Sequence, residues 1–403
     1  MIPAMFRATE ALLFAKRPFI NSTTLRSAAV KTIFLLPLSS LLFVLAAAGQ
    51  VQTDWTGAAD SRWNNPANWT AGVPESRTTV VRFTDAGKSR EVVVEGSSTF
   101  QQLVFQGHGK MPYILTGGAL VLDRTSEGNC LQDASTRDNT IHSDIEIKNA
   151  AGNRTPSMIS KWKASGVLLL SGTVTTSTVT FFAARDGGNL VIDGDLVGAE
   201  DPESGAFNQH FMAMEDGAIT IQGSGVSSNT GSGTVIICLG DHRSGGMLNL
   251  NRTAAIAGGM ILMINPETAS LSAINLGADN AIVNDPGKLR IQTAADGQSV
   301  VLNTHGHALD LSNKSLGLFP FGSASAIFKL DLGEEDSQVR FASSETEHWR
   351  GTLAILNFTK GRDTIRFGED DLGLTADQLA CITINGGSGV GIDAQGFLVP
   401  PEP

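Results

Sequence analysis

A short phrase that recurs along the chain most constrains its fold: a glycine, one variable residue, and then apolar residues that alternate with others. It occurs at residues 118–122, 166–170, 188–192, 217–221, 246–250 and 287–291. We expect glycine at the start because the preceding turn often requires a positive φ. The alternation then directs every second side chain into a core. The predicted inward-facing residues are Leu120, Leu168, Leu190, Ile219, Leu248 and Leu289.

The spacing of the phrase indicates a solenoid. The intervals between successive glycines are 48, 22, 29, 29 and 41 residues, which fit one or two coils of about 20–25 residues with inserted loops. Each coil would contribute one such strand and bury its inner face only against its neighbours. We therefore predict an all-β fold, a parallel β-solenoid (β-helix), with a large jelly roll or tandem sandwiches as the alternative.

The N-terminal stretch, residues 1–48, differs from the rest of the chain. Five Lys or Arg precede an apolar run at residues 33–45 and three alanines at 46–48, which is the order of a secretory signal peptide. We predict cleavage between Ala48 and Gly49. The apolar run falls short of the roughly 20 residues that span a bilayer, so we expect no stable membrane span in the mature chain.

Charge and cysteine content restrict the partners. The chain has 29 Lys or Arg and 40 Asp or Glu, and removing residues 1–48, which hold five basic residues and one acidic residue, leaves 24 against 39, a net charge of −15. Such an acidic surface repels nucleic acid. Cys130, Cys238 and Cys381 are widely spaced and form no C-x-x-C motif, so we predict buried apolar residues rather than disulfides or a zinc site.

Candidate chemistry is sparse, and each candidate has a structural alternative. Asp193 and Asp195 flank a glycine after a strand, which is typical of a turn. His305 and His307 would lie on one face of a strand with Asp310 nearby, although a turn with exposed histidines is favoured. The remaining candidates are two loops, Asp241-His242-Arg243 and Glu334-Glu335-Asp336. We therefore predict no catalytic residue, metal site or cofactor.

One segment near each end resembles known exported proteins. Residues 55–83 read WTG, WNNPANW, GVP and TVVRF in order, which resembles the opening of secreted bacterial proteins with autotransporter-associated β-strand repeats. Trp55, Trp63 and Trp69 would cap the open end of the first coil, or would alternatively form a platform on which sugars stack. We expect this cap and the first coils at residues 49–110 and the solenoid proper at 111–335.

The second segment forms the C-terminal coils at residues 336–403. It reads VRFASS, WRGTLAILNF, DTIRFG, LTADQLA, ITIN and GFLVP before a final Pro-Glu-Pro, and it is similar to the C-terminal region of the PEP-CTERM class of exported proteins. Within it, Thr375 as N-cap and Gln378 three residues later predict a short helix with a capping box. The chain ends where the sorting signal of that class would begin, so we expect either a truncated signal or a protein that is released without the anchor.

The two resemblances imply a passenger-like surface or extracellular-matrix protein, and they carry over no enzymatic residue. The expected function is structural or adhesive, the expected location is secreted or at the cell surface, with the periplasm as transit or alternative, and the expected partners are extracellular polysaccharide or cell-envelope glycans. A polysaccharide lyase or hydrolase, or a carbohydrate-binding module, remains the alternative, since parallel β-helices also carry such activities.

Overall fold

Parallel strands stacked one coil above the next form the body of the protein. The computed structural model describes residues 50–109, 111–124, 128–149, 156–163, 165–198, 209–229, 234–240, 244–265, 272–293, 298–319 and 325–402. The predicted signal peptide and its cleavage site at Ala48 and Gly49 lie outside these residues. In the described part, every pair of strands is parallel except one short hairpin near the C-terminus. The predicted parallel β-solenoid is therefore confirmed.

The first sheet receives one strand from each of 11 successive coils. Val81 pairs with Leu103, 22 positions later, and Phe182 pairs with Phe211, 29 positions later, so several coils are longer than predicted. The strands are β1 (Val51–Asp54), β2 (Thr79–Phe83), β4 (Gln102–Phe105), β6 (Gly128–Asp133), β9 (Ser157–Trp162), β12 (Thr180–Arg185), β15 (Gln209–Ala213), β18 (Thr234–Leu239), β20 (Met260–Asn265), β22 (Gly287–Thr293) and β25 (Lys314–Leu318).

The second sheet has 16 strands, because several coils contribute two short strands to it. They are β3 (Glu91–Phe100), β5 (Ile114–Arg124), β7 (Asn139–Ile141), β8 (Asp144–Asn149), β10 (Val167–Leu170), β11 (Val174–Thr176), β13 (Asn189–Ile192), β14 (Leu196–Gly198), β16 (Ala218–Ile221), β17 (Ser227–Asn229), β19 (Met247–Leu250), β21 (Ala273–Leu276), β23 (Ser299–Asn303), β26 (Ala326–Asp331), β28 (Gly351–Leu356) and β30 (Ile382–Ile384).

A third sheet and a few short elements complete the described chain. The third sheet consists of β24 (Leu309–Leu311), β27 (Gln338–Phe341) and β29 (Thr364–Phe367), and the hairpin consists of β31 (Gly391–Ile392) and β32 (Leu398–Val399). A single turn of 3-10 helix spans Pro66–Asn68. Helix α1 (Ala376–Ala380) begins after Thr375, whose side chain forms the predicted capping box with Gln378.

The glycine-led phrase marks buried strands, although not always the same strand of a coil. Four copies lie in register in the second sheet, where Leu168 pairs with Leu190, Leu190 with Ile219, and Ile219 with Leu248. The first copy lies in another column of that sheet, in β5, and the last lies in β22 of the first sheet. All six predicted inward-facing residues are fully buried: Leu120, Leu168, Leu190, Ile219, Leu248 and Leu289.

The predicted reason for the glycines is only partly right. Gly166 adopts a φ of 86°, as expected for a turn that precedes a strand. Gly217 and Gly246 do not have a positive φ. At these two positions a Cβ atom would overlap the carbonyl group of Ala184 or Ala213 in the preceding coil. Close approach between the backbones of stacked coils therefore excludes larger residues there.

The three tryptophans of the N-terminal motif form a buried cluster. Trp55 and Trp63 are fully buried, and Trp69 is 6% exposed. The ring of Trp69 lies 5.0 Å from that of Trp55 and 4.8 Å from that of Trp63, each pair edge to face, and all three pack near Phe83 of β2. The cluster thus forms the N-terminal cap. The alternative sugar platform requires exposed, coplanar rings, and these rings are neither.

Three buried cations, Arg137, Arg252 and Lys314, each connect three successive coils, and we call them the three-coil ties. The donor groups bind backbone carbonyl oxygens at 2.7 to 3.1 Å, and Arg137 also contacts a carboxylate. The acceptors are Gln106, Gly109 and the side chain of Asp85 for Arg137, Gly194 and Gln222 for Arg252, and Gly258 and Asp285 for Lys314.

Side-chain amides form a ladder along the outer face of the second sheet, which we call the asparagine ladder. Asn249, Asn275 and Asn303 occupy paired positions in β19, β21 and β23. The amide nitrogen of Asn275 donates to the side-chain oxygen of Asn249 at 2.8 Å, and that of Asn303 donates to Asn275 at 2.7 Å. Because each amide is both donor and acceptor, the ladder links coil to coil outside the core.

Candidate functional site

The residues singled out in the sequence do not come together in one site. Asp193 and Asp195 flank a turn after β13, and the carboxylate of Asp195 accepts a hydrogen bond of 2.8 Å from the backbone N–H of Val226 in the next coil. The carbonyl oxygen between them, on Gly194, binds the tie Arg252 at 2.7 Å. Both aspartates therefore belong to a turn that joins coils.

The two histidines do not form a metal site. His305 lies in a turn after β23 with a φ of 50°, and its side chain is exposed. The alternative in which both imidazoles lie on one face of a strand is therefore wrong, and the favoured turn is confirmed for His305. His307 instead places its Nδ1 atom 3.2 Å from Asp279, whereas Asp310 belongs to β24. Across the described ranges, no group of three or more His, Cys, Asp or Glu side chains could hold a metal ion.

The acidic triplet lies in an exposed loop between β26 and β27, as predicted. Its Glu334 lines a shallow groove of about 270 Å³ together with Arg362. The donors of Arg362 are occupied by the carbonyl oxygens of Gly333 and Asn357 and by the carboxylate of Asp363, at 3.0 to 3.2 Å. The cation of this groove is therefore engaged by the protein itself. The loop Asp241-His242-Arg243 lies outside the described residues.

A larger groove, which we call the C-terminal groove, lies beside the third sheet. Its volume is about 470 Å³, within the usual range of about 300–1,000 Å³ for small-molecule sites. Five charged side chains and one exposed leucine line it: Arg340, Glu345, Arg366, Glu369, Asp370 and Leu372. It is therefore the best candidate for a functional site in the described structure.

The two arginines of the groove lie side by side because of the strand register. Arg340 of β27 pairs directly with Arg366 of β29. Their neighbours in sequence, such as Phe341 and Phe367, are buried in the interior, so alternation turns both arginines outward. Neighbouring strands lie about 4.8 Å apart, and both arginines line the same groove.

The guanidinium group of Arg340 has no ion-pair partner in the described part of the chain. Asp310 occupies the paired position in β24, yet its carboxylate accepts a hydrogen bond from the backbone of Ser312. In the first coils, an Asp and an Arg at paired strand positions do bind each other. There Arg82 donates two hydrogen bonds of 2.7 Å to the carboxylate of its paired Asp54. Arg340 is thus free to bind a ligand.

Helix α1 holds one loop that supplies a carboxylate to the groove. Glu345 lies in the loop after β27, and the amide nitrogen of Gln378 binds the carbonyl oxygens of Ser344 at 2.7 Å and Glu347 at 2.9 Å on either side of it. Gln378 also closes the capping box of α1. The side chain that ends the first turn of the helix therefore fixes the loop that carries Glu345.

A second loop contributes Glu369 and Asp370. The carboxylate of Asp370 accepts a hydrogen bond of 3.1 Å from the backbone N–H of Leu372, which makes a tight turn. Both acidic side chains and Leu372 are exposed. The groove therefore combines pure donors on the strands with pure acceptors on the loops.

Sequence reasoning missed this groove, although one signal was present. The phrase of an apolar residue, Arg and Phe occurs at residues 339–341 and again at 365–367. The two copies are one coil apart, since Arg340 pairs with Arg366. A repeated basic residue at the coil period indicates a row of like charges on one face.

Two other pairs of oppositely charged side chains bind each other within the structure. Asp133 and Lys161 are fully buried, and the lysine nitrogen lies 3.3 Å from the carboxylate. Glu347 receives hydrogen bonds from Lys288 at 2.5 Å and from Ser315 at 3.0 Å. Because Asp133 and Lys161 are fully buried and bind one another, this pair presents no free group to a ligand.

No family model, curated protein or solved structure matches this chain. In the ranges that the structure describes, no helix has the length and apolar character required to cross a membrane. Function is therefore inferred from the fold and the C-terminal groove.

Proposed function

We propose that the protein is exported and acts outside the cytoplasm as a structural or adhesive protein without catalytic activity. The observation that supports this proposal is the uninterrupted parallel stack of the first sheet, from β1 to β25. A stack whose coils contact mainly their neighbours provides a long, repetitive surface. Such a surface suits display or attachment.

Its partners under this proposal are extracellular polysaccharide or cell-envelope glycans. The acidic composition disfavours nucleic acid. The purified protein should bind glycans of the bacterial cell envelope and should leave pectin- and alginate-type polymers intact. Release of new chain ends from such polymers would refute the non-catalytic part of the proposal.

The second candidate is an enzyme that acts on polysaccharide. The observation that favours it is the convergence of five charged side chains in the C-terminal groove, because acid–base chemistry on glycans requires carboxylates grouped on one surface. Cleavage that is abolished by Glu345→Gln or Glu369→Gln would establish this candidate.

Export is tested separately. Residues 1–48 contain basic residues, then an apolar run and then small residues. This order predicts a mature protein that begins at Gly49 and is found outside the cytoplasm. N-terminal sequencing of the protein from the medium, the cell surface and the periplasm checks this. An intact chain that remains in the cytoplasm or the inner membrane would contradict it.

A further inference from the structure

We propose that the C-terminal groove binds a uronic acid residue of an acidic polysaccharide, with the carboxylate of the sugar between Arg340 and Arg366. This inference rests on the proposed adhesive function and names the class of glycan that the groove recognises. It is carried by the register of two strands, the free guanidinium of Arg340, and the donors and acceptors that line the groove.

The arginine pair indicates an anionic ligand. Like charges directly opposite on neighbouring strands destabilise a sheet, and no carboxylate in the described chain forms an ion pair with Arg340 or Arg366. Arg366 donates one hydrogen bond, from Nε to the carbonyl oxygen of Gln395 at 2.8 Å, and its guanidinium lies over the ring of Phe397, 5.5 Å from the ring centroid. Its side chain also lines the groove. An anion between the two planar guanidinium groups accepts hydrogen bonds from both and removes the repulsion.

The carboxylates indicate hydroxyl groups beside that anion. Glu345, Glu369 and Asp370 accept hydrogen bonds and cannot donate them when ionised. A ligand made only of anionic groups, such as a polyphosphate, would be repelled by these three side chains. A sugar hydroxyl donates to a carboxylate and accepts from a guanidinium, so a uronic acid ring satisfies both sets of groups.

The experiment measures binding of the purified full chain to an oligogalacturonate of fixed length, to free galacturonic acid and to a neutral glucan oligomer of the same length. We expect the oligogalacturonate to bind more tightly than the neutral oligomer, because only its carboxylates can form charged hydrogen bonds with the two guanidinium groups. A higher affinity for the oligomer than for the monomer assigns the groove to polymer rather than to free sugar acid.

Variants locate the site. Arg340→Gln and Arg366→Gln should each weaken oligogalacturonate binding by about tenfold or more, the typical effect of losing a hydrogen bond between charged groups. The matched control is Arg62→Gln, which removes the same charge from a side chain that is 69% exposed in the N-terminal region. The control should bind like the wild type. The melting temperature of Arg340→Gln should be unchanged or higher, because the substitution removes a like-charge contact.

Several results would overturn the inference: no binding of oligogalacturonate, equal binding of the neutral oligomer, or wild-type affinity in Arg340→Gln. If the last result accompanies wild-type attachment to cell-envelope glycans, the groove inference fails and the adhesive function stands. Cleavage of the oligomer would instead refute the non-catalytic function, while loss of binding in Arg340→Gln would still support the groove.

Discussion

At the scale of single residues, His210 of β15 is a buried imidazole whose protonation the fold opposes. It is 2% exposed, and its Nδ1 atom accepts a hydrogen bond of 3.2 Å from the backbone of Ile236. Burial lowers the pKa of His210 from 6.5 to about 3. Between these values the unfolded chain binds a proton that the folded chain does not. The free energy of unfolding should therefore fall as pH falls from 6.5 towards 3.

This dependence can be measured by denaturant unfolding at a series of pH values. His210 should contribute a slope of up to about 1.4 kcal/mol per pH unit, and His210→Leu should remove that part of the slope even if its stability is lower throughout. His348→Gln, which changes an exposed histidine, is the control and should keep the slope. Equal slopes in wild type and His210→Leu would show that the imidazole is protonated in the folded chain.

The cysteines give a second prediction at this scale. None of the three forms a disulfide, and burial raises the pKa of Cys130 to about 11 and that of Cys238 to about 12. Cys381 is only half-buried, so the prediction that all three are buried is wrong for it. Because the thiolate is the reactive form, iodoacetamide under mildly alkaline conditions should label Cys381 first in the folded protein.

Mass spectrometry of the labelled peptides checks the order. All three thiols should react after unfolding, and Cys381→Ser should leave the folded protein unlabelled on the same time scale. Rapid labelling of Cys130 in folded protein would contradict its burial.

At the scale of elements, the asparagine ladder tests how much the outer face contributes to stacking. Asn275→Val removes the bonds to Asn249 and Asn303 and keeps a residue suited to strands. We expect a loss of about 1–3 kcal/mol, since each bond contributes about 0.5–1.5 kcal/mol. The matched control is Asn189→Val in β13, because Asn189 is exposed and its side chain has no partner in the described chain.

Thermal or denaturant unfolding distinguishes the two variants. A destabilised Asn275→Val beside an unchanged Asn189→Val supports the ladder. Equal stability of both variants would mean that the ladder bonds merely replace bonds to water.

A structural feature can be predicted from the sequence when the residues that determine it lie within one strand or one helical turn. The inward positions such as Leu190 follow from alternation within one strand, and the capping box at Thr375 follows from its spacing to Gln378 within a single helical turn. The contacts of Gly246 and Arg340 depend on which residues of the neighbouring coil lie opposite. Because the coils differ in length, that register is not readable from one strand alone.

The candidate site could not be predicted for the same reason: its residues come from separate parts of the chain. No local pattern indicates that Glu345 and Glu369 share a groove with the arginine pair, because two loops and the third sheet must meet to form it. Residue type alone also leaves open whether Trp63 is buried in a cap or exposed as a platform for sugars. Its burial depends on how the first coils pack around it.

At the scale of the whole molecule, the tryptophan cap should control the stability of the N-terminal coils. Trp63 is fully buried, and its indole nitrogen donates to the side chain of Ser98 at 2.9 Å. Trp63→Ala should cost about 3–5 kcal/mol. Because coils are stabilised by their neighbours, hydrogen exchange should rise in β2 and β4 before it rises in β26.

The control is Trp162→Ala, since the ring of Trp162 is only half-buried and lies under Arg185. Its effect should be smaller and confined to the neighbouring coils. A uniform rise of exchange along the described chain in Trp63→Ala would mean that the solenoid unfolds as one unit.

The three-coil ties have a mechanical consequence. A coil that is bound only to its neighbours can be peeled off singly under tension, whereas Arg252 fastens its coil to the two before it. A chain pulled from its ends in optical tweezers should therefore release blocks of about three coils, each giving on the order of 250 Å of extended chain at roughly 3.5 Å per residue. Breaking the tie with Arg252→Met should divide one such block into smaller steps.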